Sequence, residues 1–245
     1  MTDSLTFIGR SLRHSVRSID ALLTAILLPV AIMLMFVYVF GGAIETDGRY
    51  VDYVIPGIIV LCAGFGSAGT AVAVALDMTT GVIDRFRTLP ISSAAVLTGH
   101  VAASVARNVV STLLVVGVGL LAGFQPSAGP LDWLAVAALL LALMTAISWL
   151  AACFGLIAKS VEAANAITFV AAFAPYLSSA FVPPDTMPAG LSWIAEHQPV
   201  TPIADTLREL LLGLPVGDEA IVAIAWCVAG IVIGRLGAAY LFARR

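Results

Sequence analysis

Long apolar runs, broken by short polar stretches, constrain this chain more than any motif in it. A bilayer core of about 30 Å is crossed by roughly 20 apolar residues in α-helix, because a helix satisfies its own backbone hydrogen bonds where no water can. Stretches of that length run from Ala21 to Ile44, Tyr53 to Leu76, Ala94 to Phe124, Leu131 to Ala158, Val161 to Val182 and Ala220 to Phe242. Composition agrees: 60% of the 245 residues are hydrophobic and 11% are charged, against about 25% charged in a soluble domain. The expected fold class is all-α integral membrane, with six transmembrane helices.

The residues before the first span have another pattern. Leu5, Ile8, Leu12, Val16 and Ile19 recur at three and four residues, while Arg10, Arg13 and Arg17 fall on the opposite side. This spacing predicts an amphipathic interfacial helix over 1–20, arginines toward anionic headgroups, ahead of a single transmembrane domain over 21–245. The apolar run that follows is too long for the core of a signal peptide and lacks a small-residue cleavage site. Six spans put both termini on one side. There lie Arg10, Arg13, Arg17, Arg85, Arg87, Arg107, Lys159, Arg235, Arg244 and Arg245, ten of the twelve basic residues, leaving Arg49 and Arg208 opposite. Basic residues accumulate on the cytoplasmic side, so both termini are expected there, in a multi-pass protein of the cytoplasmic membrane. Acidic residues lean outward: Glu45, Asp47, Asp52, Asp132, Asp185, Glu196, Asp205, Glu209, Asp218 and Glu219.

Between the second and third spans, Asp77 to Gly99 interrupts the apolar sequence with charges, a glycine and a proline. A helix start is expected near Thr79 or Thr80; Gly81 lets the backbone pass close to a neighbour. Asp84, Arg85 and Arg87 form a polar knob beside Phe86 and Leu89, and Pro90 stops it by disfavouring helix at the residue before. Ser92 or Ser93 then caps the next helix. The expectation is a short cytoplasmic helix wedged between two spans.

The second polar stretch, Ser178 to Gly217, lies on the opposite side, before the sixth span. Asp185 or Thr186 can cap a helix entered at Pro188, and Thr201 with Pro202 starts another that ends at Gly213. A dozen residues reach only about 18 Å, too short to cross, so 183–217 is expected to form a re-entrant extracellular helical hairpin. Ile203, Leu207, Leu210 and Leu211 give its second helix an apolar stripe, with Asp205, Arg208 and Glu209 turned elsewhere.

Gly119 with Gly123, and Gly230 with Gly234, have the four-residue spacing that lets membrane helices approach closely. No Asp or Glu falls near a span centre, and Arg235 is read as the one internal charge. An ion-coupled carrier would need such groups as its relay. Enzymatic chemistry finds no footing either. His14, His100 and His197 stand at no metal-ligand spacing, no nucleophile is paired with a base, and Cys62, Cys153 and Cys227 read as buried small hydrophobes. The one lysine, Lys159, follows Ala158 where a phosphate-binding loop needs glycine. No catalytic residue, metal or cofactor is therefore assigned to this chain, and no nucleic-acid partner.

Together the polar stretches carry a resemblance. D-x-x-x-G-x-x-D-R-F-R-x-L-P at Asp77 to Pro90, continued by A-V-L-x-G at Ala95 to Gly99, resembles the coupling region of ABC type-2 exporter permeases of the daunorubicin-resistance type. The outer stretch S-A-F-V-P-P-D-T-M-P, then Q-P-V-T-P and A-D-T-L-R, is similar to the segment before the last span in the same permeases. In that family the permease pairs with a separate ATPase subunit that holds ATP and Mg, two of each making one exporter. The resemblance implies that Gly81, Asp84, Arg85, Phe86, Arg87, Leu89 and Pro90 dock in a groove of the ATPase. It implies an extracellular gate around Pro199, Val200, Thr201 and Pro202, and a second permease copy or paralogue as partner. Span polar groups are mild (Thr24, Ser67, Thr70, Ser111, Thr112, Thr145, Ser148, Asn165, Thr168) and suit a small amphipathic or hydrophobic substrate: a drug, an antibiotic or a lipid. An ion-coupled carrier and a membrane scaffold without transport are the alternatives.

Overall fold

The computed structural model describes residues 19–44, 48–80 and 93–244. Residues 1–18 of the expected interfacial helix, and Gly81 to Ser92 of the expected coupling helix, lie outside them. The described residues are helical and contain no strand. The longer helices are α1 (Ile19–Met35, continued by a π turn Phe36–Phe40), α2 (Tyr50–Thr79), α3 (Ser93–Leu121), α4 (Pro130–Ile157), α5 (Val161–Ala171) and α8 (Glu219–Arg244); two short ones, α6 (Ala189–His197) and α7 (Val200–Leu212), stand between α5 and α8.

Four of these are long and apolar enough to cross a membrane: Tyr50–Thr79, Val96–Leu121, Pro130–Ile157 and Glu219–Phe242. The helix expected from Val161 to Val182 is shorter, ending at Ala171 and followed by a 3-10 turn, Ala174–Leu177. Pro175 is the reason: it has no N–H to donate to the carbonyl of Ala171, so the ladder stops there. The first run stays helical through Pro29 and changes to the π turn only at Phe36.

Other boundaries correct the sequence reading. The residues after Thr80, where a helix start is expected, lie outside the described residues; Thr79 and Thr80 themselves belong to the helix before. They end α2, both hydroxyls donating backward to Leu76 O, at 3.1 and 2.7 Å. Neither Asp185 nor Thr186 caps α6, whose N-cap is Pro188; the Thr186 hydroxyl donates to Pro183 O instead. Nor does α7 begin at Thr201, since Pro199 is its N-cap and Val200 its first residue.

The core is built around α2. Residues 54 to 63 are buried without exception, so this helix is apolar on every side and has neighbours on every side. Around it pack α1, α3, α4, α5 and α7. On the far side of α4, α8 closes the bundle through one of the predicted glycine pairs. A Cβ on Gly234 would stand 2.7 Å from Trp149 Cβ, and one on Gly230 3.1 Å from Ala146 Cβ. The other pair is not a packing pair: Gly119 faces Ile55, but Gly123 lies past the end of α3 at φ 100°.

Candidate functional site

Between α5 and α6 the backbone leaves helix at Ser178, and the irregular stretch is buried. Ser178 and Ala180 are 0% exposed, Ser179 and Phe181 2%. Buried backbone polar groups need partners, and α2 and α7 supply them. The Tyr50 hydroxyl donates to Phe181 O at 2.9 Å and the Tyr53 hydroxyl to Ser179 O at 2.8 Å. Ser179 N–H donates to Thr201 Oγ1 at 3.2 Å, and its hydroxyl to Asp205 Oδ1 at 2.8 Å. Gly57 makes the close approach possible, because a Cβ there would stand 2.7 Å from Ala180 Cβ and nearer still to Ala180 O.

Arg208 ties these pieces into one knot. Its guanidinium lies over the Tyr53 ring, 3.9 Å from the centroid. It donates through Nε to Tyr53 O at 3.2 Å and through Nη2 to Ser179 O at 2.9 Å, and its Nη1 pairs with Asp205 Oδ1. Only arginine has a planar fork able to serve a ring face, two carbonyls and a carboxylate together. The pair is mostly covered, the Arg208 and Asp205 side chains being 14% and 22% exposed. Local sequence explains the placement. Ile203, Leu207 and Leu211 bury the apolar stripe of α7, which leaves Asp205 and Arg208, one turn apart, to face α2. Gly213 closes the helix in the left-handed region at φ 64°, with Leu214 N–H returning to Glu209 O at 2.8 Å.

Of the four expected gate residues, the knot takes in Thr201, whose hydroxyl also donates to Ala195 O in α6. Pro202 is buried in the first turn of α7, while Pro199 and Val200 form its entry. Tyr50, Tyr53, Ser179, Asp205 and Arg208 were not singled out as site residues in the sequence. One signal was available: Arg208 is a basic residue on the acid-rich side, with Asp205 three positions before it.

At the other end of α2, Asp77 Oδ2 meets His100 Nε2 of α3 at 2.9 Å. This pair brackets the stretch holding Gly81, Asp84, Arg85, Phe86, Arg87, Leu89 and Pro90, all outside the described residues.

Midway along the bundle, Asn108 Nδ2 donates to Ser67 Oγ at 2.9 Å, Ser67 and Ser148 hydroxyls lie 3.3 Å apart, and Ser148 donates to Ser104 at 2.9 Å. All four residues are 0% exposed. Gly66 leaves the room that the Asn108 amide fills. On the face of α7 away from the knot lies an apolar cavity of about 410 Å³, lined by Ala138, Leu139, Ala142, Thr206, Leu210 and Cys227 among others. That volume is in the range of small-molecule sites.

The family model for the ABC-2 type transporter matches residues 4–212. The chain belongs to the ABC-2 type transporter family. It is 31% identical over 217 residues to the daunorubicin resistance ABC transporter permease protein DrrB1 of Streptomyces coeruleorubidus, covering 85% of this chain and 77% of the relative. It is 26% identical over 230 residues to a probable doxorubicin resistance ABC transporter permease protein, DrrC, of Mycobacterium tuberculosis, covering 92% and 82%. The protein is therefore a multi-pass membrane permease, the transmembrane subunit of an ABC transporter, and its family implies an ATPase partner.

Proposed function

We propose that this permease exports a small amphipathic or hydrophobic compound, of the kind its drug-resistance relatives are named for, powered by a separate ATPase subunit. The family match over most of the chain carries this reading. The cavity beside α7, apolar and with the Thr206 hydroxyl turned back to Pro202 O at 2.7 Å, suits such a compound. In this reading α1 and α5 complete six spans, the termini are cytoplasmic, and α6 and α7 form a re-entrant hairpin outside. A second copy or paralogue completes the transporter, and ATP and Mg belong to the partner.

Coupling then runs along α2. Its 30 residues extend about 45 Å at 1.5 Å per residue, from the Arg208 knot to the residue before the 81–92 stretch. Asp84, Arg85 and Arg87 would orient the ATPase, and Phe86 with Leu89 would anchor in its groove. ATP-driven closure of the ATPase would push on one end of a rod whose other end holds the outer gate.

Co-purification with the ATPase tests this directly. The native chain is expected to form a complex that hydrolyses ATP and drives daunorubicin into inside-out vesicles, and Asp84→Ala/Arg85→Ala/Arg87→Ala to lose the complex. Uptake that follows an ion gradient and persists without ATP would replace this reading with the secondary carrier. Equal binding by native and triple-variant chains would remove the ATPase contact from 81–92.

A further inference from the structure

The knot holds the buried 178–181 backbone in place, and two of its properties also let it open. It is built on an irregular backbone whose Ser179 carbonyl accepts from the Tyr53 hydroxyl of α2 and the Arg208 guanidinium of α7, while the Ser179 hydroxyl donates to Asp205 of α7. It also spends the α7 cation on carbonyl oxygens of Tyr53 and Ser179, bonds that water can replace one for one when the surface opens. An apolar contact of the same area has no such exchange. Meanwhile α7 carries the knot on one side and Thr206 and Leu210, two walls of the cavity, on the other. Parting α7 from α2 must therefore move both.

We infer that Asp205, Arg208, Ser179 and Tyr53 form a latch that opens and closes in each transport cycle, with Arg208 the positioning residue that sets how firmly the outer end stays shut. This rests on the exporter reading above. In the closed state Arg208 bridges α2, the 178–181 backbone and α7. In the open state its guanidinium and the freed carbonyls are hydrated, and α7 swings with its half of the cavity wall.

The test uses the complete permease–ATPase complex in vesicles, with Cys62, Cys153 and Cys227 replaced by alanine and a single Val182→Cys reporter, beside the latch and partly buried but not a member of it. A membrane-impermeant maleimide is added with no nucleotide, with ATP, and with ATP plus vanadate. A latch predicts a labelling rate that changes between these states by on the order of tenfold, the scale of a typical allosteric coupling. Adding Arg208→Gln should raise the slow rate to the fast one and lower transport per ATP hydrolysed, while ATPase binding stays intact. Arg208→Lys, which keeps the charge but not the fork, should fall between. One labelling rate in every nucleotide state overturns the latch while leaving the exporter reading in place. Failure of the ATPase to bind at all overturns both.

Discussion

At its Tyr50 end α2 meets irregular backbone through tyrosine hydroxyls and an arginine of α7, whereas at Ser67 it meets α3 and α4 through neutral side chains alone. Both networks are buried, yet they answer different needs. In the middle of the bundle every backbone is helical and satisfies itself, so the bonds between helices there join Asn108, Ser67, Ser148 and Ser104 side chain to side chain. At the Tyr50 end the side chains serve main-chain groups of residues 178–181 that have left helix. Losing a partner in the middle strands a side chain; losing one at the end strands a buried backbone group as well. The second carries the greater desolvation penalty, and that ordering can be broken by experiment.

The largest effect is expected at Gly57. A valine there must displace the Ala180 backbone, not a flexible side-chain tip, and overpacking against immovable neighbours costs about 3 kcal/mol or more. Gly57→Val should give little folded permease by size-exclusion in detergent, whereas Gly64→Val, at a glycine with open space around it, should be recovered normally. Equal recovery would mean that the 178–181 stretch is not held against α2.

Next comes Arg208. Arg208→Ala should destabilise by roughly 2 kcal/mol, the cost of leaving carbonyls and a partly covered carboxylate unpaired, read as a lower detergent melting temperature. Tyr53→Phe keeps the ring under the guanidinium and loses only the bond to Ser179 O, so its loss should be about half as large. A Tyr53→Phe defect equal to that of Arg208→Ala would place the weight on the hydroxyl and contradict the assignment of Arg208 as the centre.

The asymmetry between the two networks also explains what the sequence could reveal. The four long apolar helices declared themselves by hydropathy, α7 by the spacing of Ile203, Leu207, Leu210 and Leu211, and its end by Gly213. The early end of α5 was hidden because the residues after Ala171 are as apolar as those before, and Pro175 sits among them. The knot was illegible for another reason. Tyr53 and Arg208 are 155 residues apart, Tyr53 and Ser179 126, and no local pattern announces a pairing over such a distance. Arg208 was visible only as an exception to the charge bias. The residues proposed for coupling, Gly81 to Pro90, were read from a contiguous motif, which needs no tertiary contact to be recognised.

The middle network should yield less than the knot. Asn108→Leu removes the amide and leaves Ser67 with its bond to Ala63 O at 2.8 Å, so no backbone group is stranded. Hydrogen bonds between membrane helices are worth about 0.6 to 2 kcal/mol, and the melting temperature should fall by less than for Arg208→Ala. Gly66→Ala should act through the same group, because the new methyl occupies the place of the Asn108 amide. Combined with Asn108→Ala, it should then cost little beyond the single changes. An additive double variant would separate Gly66 from the seam.

The smallest effect is expected where α2 ends. Asp77 and His100 form a single hydrogen-bonded pair with side chains 26% and 17% exposed, and one such partly exposed bond is worth about 1 kcal/mol. Asp77→Asn should leave the melting temperature of the isolated permease nearly unchanged. Its consequence should appear only in the complex, because the pair fixes the spacing of the two helices that enter and leave the 81–92 stretch. The affinity for the ATPase should fall a few-fold. A large loss of permease stability, with no change in ATPase affinity, would show that this end too is a structural tie. The contrast between the two ends of α2 would then be one of degree and not of kind.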